Sequence, residues 1–465
     1  MAREGKKSVR HVNVDKIFVV LDGSLPISID KQVIEVNIYQ DLYEPFMTCE
    51  ILFEDALGFY SGESINKLRQ PGFTGNDIFI INYTTTFPDD NIPSKSQAFV
   101  LYDVTARTRS KEKSEVFALT GISIEGWLSI DKKISRSYGH NTKKNTNTIS
   151  HYVNSIVDEF VYNRQAKDVY DSLTANLKMT IKKKNTYDET NSRIPYIVPN
   201  LEPISAIKTL MREADNDKDT NLFTFYEDSI GFHFADVSKL VDKKFVDTFT
   251  YEPSNAAEGG QSKSMVDLKK IFSYEVIKQT NSLESKMMGL FKSKTINIDI
   301  IKKNKTEVVY NYDISGPKLP KLNSGNLPHK HIVSGTSSSD AKVYMRTSRI
   351  GHDSYKLFEP EHHLPKKSNT LLGKRESYIE HLANVMMSVI LNGDSELNVG
   401  DKINLIIPKA TTVGNDKEAN IDKYLSGYYM ITKLRHIIKD DNMDTVIEVM
   451  KDTESTAPIT QPATG

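Results

Sequence analysis

The stretch Val33 to Asp55, VIEVNIYQDLYEPFMTCEILFED, decides how the rest of the chain is read. From Val33 to Tyr39 apolar and polar residues alternate, the period of two that puts every second side chain on one face of a strand. Phe46 to Asp55 repeats the pattern after a short connection containing Pro45. Two such runs across a polar turn predict an antiparallel pair with one face buried. Working outward, IFVVL (17–21) precedes them and PGFTGNDIFIINYTTTF (71–87) follows. SQAFVLYDVTART (96–108) then faces EVFALTGISIEG (115–126) across the charged turn RSKEKS (109–114). A series this long predicts an antiparallel sheet curled into a barrel, which hides its edges.

After Trp127 the pattern changes. Ile149, Val153, Ile156, Val157 and Phe160 recur at three- and four-residue intervals, which predicts an amphipathic helix. A polar run follows, then IPYIVPNLEPISAIKTLMREADN (194–216). There Pro203 suits the first turn of a helix, and Ile204, Ile207, Leu210, Met211 and Ala214 line one face. NLFTFYEDSIGFHFADV (221–237) reads as a hairpin turning at Asp228 to Gly231. Alternation returns over Lys294 to Ile301 and Glu307 to Asp313, and again in the strands NVMMSVILNG (384–393), ELNVGDKINLIIP (396–408), YLSGYYMITKLRHII (424–438) and TVIEVMKD (445–452). Between Ser315 and Lys342 the chain is rich in Pro, Gly and Ser and reads as a long loop. Residues 1 to 11 read as a basic arm and 454 to 465 as a disordered tail.

Composition narrows the function. The chain has 465 residues, enough for two to four domains. Sixty basic against sixty-one acidic residues leave a net charge of −1, which argues against gripping nucleic acid or an anionic membrane by overall charge. The single cysteine, Cys49, rules out a disulfide framework within the chain and fits folding in a reducing compartment. IFVVL is too short for the apolar core of a signal peptide, and no apolar window approaches the length of a membrane span, so no membrane association is expected.

Candidate sites for chemistry are weak. READNDKDTN (212–221) places Asp215, Asp217, Asp219 and Asn221 at alternate positions, as a calcium loop does. Counted from Asp215, however, the sixth place is Thr220 instead of glycine and the twelfth is Tyr226 instead of glutamate. A solvated helix-to-strand turn is the better reading. His329, His331, His352, Asp353, His362 and His363 fall close together in sequence, but in a polar loop, where histidine is ordinarily a surface residue; a metal-dependent hydrolase built on His329, His331, Asp353 and His362 is the enzyme alternative. LLGKRES (371–377) lacks the spacing of a phosphate-binding loop, and no G-x-S-x-G elbow occurs. Cys49 sits in a strand pattern and reads as core. The basic runs 182–184 and 302–305 lack interleaved aromatics and read as solvated faces, and Trp127 as a core anchor. No catalytic, cofactor-binding or metal residue is therefore assigned, no cofactor is expected, and the chain is expected not to be an enzyme.

Several of these stretches, in this order, resemble the central baseplate hub of contractile-tailed bacteriophages, T-even-type phages among them. Val33 to Asp55 is similar to the hub's opening strands, with the continuation FVLYDVTARTRSKEKSEVFALTGISIEGWLSIDKKISRSYG (99–139). IPYIVPNLEPISAIKTLMREADN with FTFYEDSIGFHFADVSKL (223–240) is similar to its Pro-Asn-x-x-Pro helix entry and Phe-Tyr-Glu hairpin. GDSELNVGDKINLIIP (393–408) and GYYMITKLRHIIKDDNMDTVIEVMKD (427–452) resemble its last barrel strands, a pattern shared with the spike of type VI secretion systems.

The resemblance implies a mainly β fold with α+β insertions: two tail-tube-like antiparallel β-barrels plus smaller mixed domains. The implied division is 1–134 as the first barrel, 135–225 as a helix-containing α+β domain, and 226–315 as a β-rich segment serving the second barrel and an accessory domain. It continues with 316–375 as a long loop, 376–455 as the second barrel's strands, and 456–465 as a tail. It also implies a structural, non-enzymatic homotrimer in the virion tail, assembled in the host cytoplasm. Three copies would present six quasi-equivalent barrels, adapting a six-fold tail tube to a three-fold central spike around a channel that passes DNA without specific binding. The implied partners are the spike, tube or tube-initiator proteins, and baseplate wedge and tape-measure proteins. A hub domain of a secretion spike is the alternative within the same architecture.

Overall fold

The computed structural model describes residues 12–21, 26–55, 75–85, 94–111, 114–139, 148–177, 183–191, 196–216, 222–251, 269–299, 303–312, 319–325, 342–347, 371–409 and 420–453. The chain is mainly β, with a closed six-stranded barrel, further strands and small helices. The quoted stretch forms the predicted antiparallel pair. Val33–Asp41 and Thr48–Asp55 are strands whose alternate residues Val36, Ile38, Cys49, Ile51 and Phe53 are buried together.

The first β module contains β1 (Val12–Val20), β2 (Ile27–Ser28), β3 (Val33–Asp41), β4 (Thr48–Asp55), β5 (Asp77–Thr85), β6 (Lys95–Lys111) and β7 (Ser114–Ser123). Ser123 then caps the short helix α1 (Ile124–Ser129), its hydroxyl accepting from the Gly126 N–H. An α+β unit follows: β8 (Ile134–Tyr138), α2 (Ile149–Ile156) continued by a π turn over Val157–Val161, α3 (Arg164–Leu177), β9 (Thr186–Tyr187), β10 (Tyr196–Leu201), α4 (Pro203–Met211), β11 (Phe223–Glu227), β12 (Phe232–Asp236) and α5 (Val237–Asp242). Pro203 opens α4 as predicted, and Phe223, Phe225, Phe232 and Phe234 of the hairpin share a core with α2 and α4.

The second module begins at β13 (Thr248–Tyr251) and β14 (Lys270–Gln279). It is interrupted by α6 (Ser282–Met287), the small sheet of β15 (Lys292–Asp299), β16 (Asn304–Asn311) and β17 (Val343–Thr347), and α7 (Leu371–Leu382). It resumes with β18 (Val385–Asn392), β19 (Lys402–Ile406), β20 (Gly427–Lys439) and β21 (Asn442–Lys451). These six strands close in the order β19-β13-β14-β18-β21-β20, with β20 returning to β19. The first module curls around its own core, but among the described residues no ladder joins β1 to β3.

Several sequence expectations need correction. The stretch 316–375, read as loop, supplies β17, which pairs parallel with β15, and the first residues of α7. Val343–Thr347 is too short to show a period against its Ser- and Gly-rich flanks. Within 226–315, β11 and β12 pack in the α+β unit, β13 and β14 belong to the second barrel, and β15 and β16 to the small sheet. The polar run after the first helix contains α3; its Tyr170 and Leu173 cover the outer face of β5 and β6 at Ile80, Ala98 and Val100. Trp127 is 36% exposed on α1 and anchors no core.

Residues 319–325 dock onto the end of β21 through Asp452, a fully buried carboxylate. Asp452 accepts from the backbone N–H of Leu322 (2.7 Å), Asn323 (3.1 Å) and Thr453 (2.7 Å), and from Asn323 Nδ2 (3.1 Å). Asp452→Ala should cost about 3 kcal/mol in denaturant unfolding, since it leaves several buried donors without an acceptor. It should also speed amide exchange at Leu322 and Asn323, whereas unchanged exchange there would rule out this anchor.

Candidate functional site

Set side by side, the two β modules match in register. A row of cross-strand neighbours runs Ile38, Cys49, Gly121, Leu101, Asp77 through the first. The corresponding row in the second is Val276, Met387, Val449, Ile431, with the Asp401 carbonyl accepting from the Ile431 N–H (2.9 Å). Two of the irregularities match, while the shifts at Val276/Lys278 on β14 and at Val104/Ala106 and Arg109/Lys111 on β6 have no counterpart. The shift between Val33 and Glu35 on β3 recurs between Ile271 and Ser273 on β14, and that between Leu101 and Asp103 on β6 recurs between Ile431 and Lys433 on β20. A bulge changes local twist, so bulges at equivalent places give the two sheets the same curvature. Gly75 and Gly400, both at φ +81, lead into β5 and β19 at the matching turn, a conformation that side chains rarely adopt.

The modules are joined edge to edge. The second half of β20 pairs antiparallel with β3, from Lys433 opposite Asp41 to Lys439 opposite Glu35. One antiparallel sheet of eight strands therefore runs β14-β18-β21-β20-β3-β4-β7-β6 through both modules. Its ends are alike in being open. β6 continues past its pairing with β5, and among the described residues no strand pairs with residues 103–108 on the side away from β7. Nor does any pair with residues 273–279 of β14 on the side away from β18.

The face of this sheet turned away from both cores carries a groove of about 710 Å³ at the joint, lined by Tyr39, Glu50, Lys433, Arg435 and Glu448 among others. Its cations are matched. Lys433 Nζ lies 3.0 Å from Glu448, and Arg435 Nε donates to Asn37 Oδ1 at 3.0 Å while its guanidinium stacks over the Tyr39 ring. Tyr39 donates to Glu50 at 2.7 Å, and burial with that carboxylate pushes its phenol up to about 12.

Behind the joint, the β11–β12 hairpin acts as a wedge. Ser229 at its tip donates to Asn398 Oδ1 (2.8 Å), whose neighbour Val399 donates its N–H to Gln40 of β3 (3.2 Å). Beside the same turn Lys183 lies between Glu125 of α1 and Glu227 at the end of β11, 3.0 Å from the former and in contact with the latter. Tyr170 donates to Glu125 (2.8 Å), and Glu227 also accepts from the Met47 N–H (3.0 Å). Burial pushes the Glu227 carboxyl up against the pull of Lys183. For Lys183 burial works the other way, but the two carboxylates outweigh it and its ammonium is raised.

The residues singled out in sequence fall elsewhere. Asp215 and Asn216 lie just after α4, and Asn216 donates to Asp236 and to Ser238 (3.3 Å), so this corner is tied to the start of α5. Asp217, Asp219 and Asn221 lie outside the described residues, as do His329, His331, His352, Asp353, His362 and His363. Among the described residues no group of three or more His, Cys, Asp or Glu is placed to hold a metal, and no helix is long and apolar enough to cross a membrane. Cys49 is fully buried, and burial raises its thiol well above the ordinary range. The basic run 182–184 hid the buried Lys183; a run of three lysines gives no sign that one turns inward.

No protein-family model matches the chain, and a search of the curated proteins finds no match. Among solved structures it is similar to a tail protein from Neisseria meningitidis MC58, at 9% identity and TM-score 0.48 over 94% of this chain and 96% of that one. It is similar to the 43 kDa tail protein of prophage MuSo2 from Shewanella oneidensis, at 10% identity and TM-score 0.49 over 94% and 100%. A third is an E. coli component of the type VI secretion system, described as structurally similar to T4 bacteriophage tail proteins, at 9% identity and TM-score 0.37 over 97% and 80%. The chain's structural neighbours are thus phage tail and baseplate proteins and proteins related to the type VI secretion spike.

Proposed function

We propose that this chain is the structural hub of a contractile phage tail baseplate. Three copies close into a ring of six quasi-equivalent β modules, which fits a six-fold tail tube on one face and a three-fold spike on the other and leaves a channel for DNA. It works in the virion tail without catalysis of its own, beside the spike, tube and neighbouring baseplate proteins. The observation that carries this reading is the in-register repetition of one β module, with both copies joined in a single sheet. A chain holding two equivalent modules converts three-fold into near six-fold symmetry by construction. The ordered motifs from Val33 to Asp452 support the same assignment. The groove at the joint suits a conduit, because its cations are held by carboxylates and an amide and so would not retard a polyanion.

Light scattering on the purified full chain should give three times the chain mass at micromolar concentration, and negative-stain images should show a three-fold ring with an open centre. A monomer that no tail partner assembles would overturn the proposal.

A further inference from the structure

Where the β11–β12 hairpin meets the first module there is a cavity of about 30 Å³, lined by Met47, Gln97, Phe99, Tyr170, Lys183 and Glu227 among others. Gln97 is the member that strand periodicity does not explain. It precedes Phe99 and Leu101 on the core-facing side of β6, where the period of two calls for an apolar side chain. It is 7% exposed, and among the described residues neither its amide oxygen nor its amide nitrogen has a hydrogen-bond partner. Burying an amide with nothing to bond costs free energy that an apolar side chain would avoid. We infer that this cavity is a water site: one or two water molecules sit between Gln97, Lys183 and the hairpin turn, and complete the polar contact between the first module and the α+β unit.

Size, lining and the needs of Gln97 each limit the occupant. About 10–15 Å³ is enough for one water, so the cavity takes one or two and excludes an organic ligand. A glutamine amide needs both kinds of partner, since its oxygen accepts and its nitrogen donates. A metal cation would serve the oxygen alone and would stand beside the Lys183 ammonium. An anion would serve the nitrogen alone and would stand beside the Glu227 and Asp228 carboxylates. Water donates, accepts and brings no charge. The hairpin's own polar groups are engaged elsewhere: Glu227 accepts from Lys183 and from the Met47 N–H, Asp228 accepts from the N–H groups of Ile230 (2.7 Å) and Gly231 (3.0 Å), and Ser229 donates to Asn398. Lys183 directs two of its three N–H groups to Glu125 and Glu227, which leaves one donor for the water.

The site lies within one copy of the chain, so its test is independent of the ring. In a high-resolution crystal structure of the full chain, a density peak should lie within hydrogen-bond distance, about 2.7–3.2 Å, of a Gln97 amide atom and of a second lining group. A cavity without density would overturn the inference. Crystals soaked in rubidium bromide should show no anomalous peak there; rubidium or bromide in the cavity would make it an ion site and overturn the water assignment. Gln97→Met keeps the length of the side chain and removes the amide. It should fold by circular dichroism, and its crystals should lose the peak beside position 97. In solution, oxygen-17 relaxation should count at least one long-lived water fewer in this variant than in the parent, and an equal count would overturn the site. The parent crystal and its soak decide the question without the variant.

Discussion

Lys183→Met should destabilise the protein by about 3–5 kcal/mol at neutral pH, far more than an exposed lysine would. Glu125 is fully buried and Glu227 nearly so, and Lys183 is the cation set between them. Taking it away leaves two carboxylates close together out of water, which raises the pKa of Glu227 further. The variant's loss relative to the parent should therefore be smaller at pH 5 than at pH 8. A carboxyl whose folded pKa lies above its unfolded value contributes stability that is full at low pH and lost as pH rises through the folded pKa. Adding Glu125→Gln and Glu227→Gln should recover most of the loss, since the amides keep the shape without the repulsion. Urea unfolding of these variants at both pH values is the check, and a Lys183→Met protein as stable at pH 8 as the parent would show that the three groups are not coupled. The effect should centre on the contact between the first module and the hairpin, because Glu227 also holds the Met47 N–H.

The second large effect is acidic. His381 and His436 are almost completely buried; burial brings the first down to about 4 and the second to about 3. His436 Nδ1 shares a hydrogen bond with Thr445 Oγ1 at 3.1 Å, and His381 Nδ1 lies 3.3 Å from the Tyr312 hydroxyl. Both stay neutral in the fold while the unfolded chain takes up protons below its ordinary pKa of about 6.5. Stability is therefore lost as pH falls from about 6.5, by about 2 kcal/mol for each histidine at pH 5. Asp401 works in the other direction. Burial holds its carboxyl at about 6, so the folded state takes up a proton there and regains part of that loss at pH 5. The parent should therefore lose stability between pH 7.5 and pH 5 through its histidines, with the raised carboxyls of Asp401, Glu227, Asp41 and Asp394 offsetting part of the loss. His436→Gln should remove about 2 kcal/mol of that fall, and a variant with the parent's slope would mean that His436 is charged in the fold.

Much of the architecture was legible because half-buried strands advertise themselves. The alternation from Val33 to Asp55, the burial of Cys49, the hairpin at Asp228 and the entry of α4 at Pro203 all follow from period and turn chemistry. The repeat was not legible residue by residue. Ile38 answers to Val276 and Cys49 to Met387, apolar positions that accept different side chains of suitable volume, Gly121, where a Cβ would come within 2.8 Å of Cys49 Sγ, answers to Val449, and in that row only Asp77 and Asp401 keep the same residue. Hydrogen-bond register persists where identity does not, because one residue of slip would turn every core side chain outward. Lys183 was invisible for a related reason: a lysine run looks solvated until the carboxylates that draw one member inward are brought from positions 125 and 227. Trp127 misled in the opposite sense, as a large apolar residue left at the surface of α1.

The pairing of β3 with β20 also governs how the chain can be made. Residues 35–41 leave the ribosome long before residues 433–439, the strand that covers their edge. Throughout synthesis the nascent N-terminal half must keep a sticky border out of trouble, and the long wait makes closing this contact a slow, late event. Any fragment stopped short of β20 would carry an uncovered β3 edge, open to pairing with whatever strand it meets.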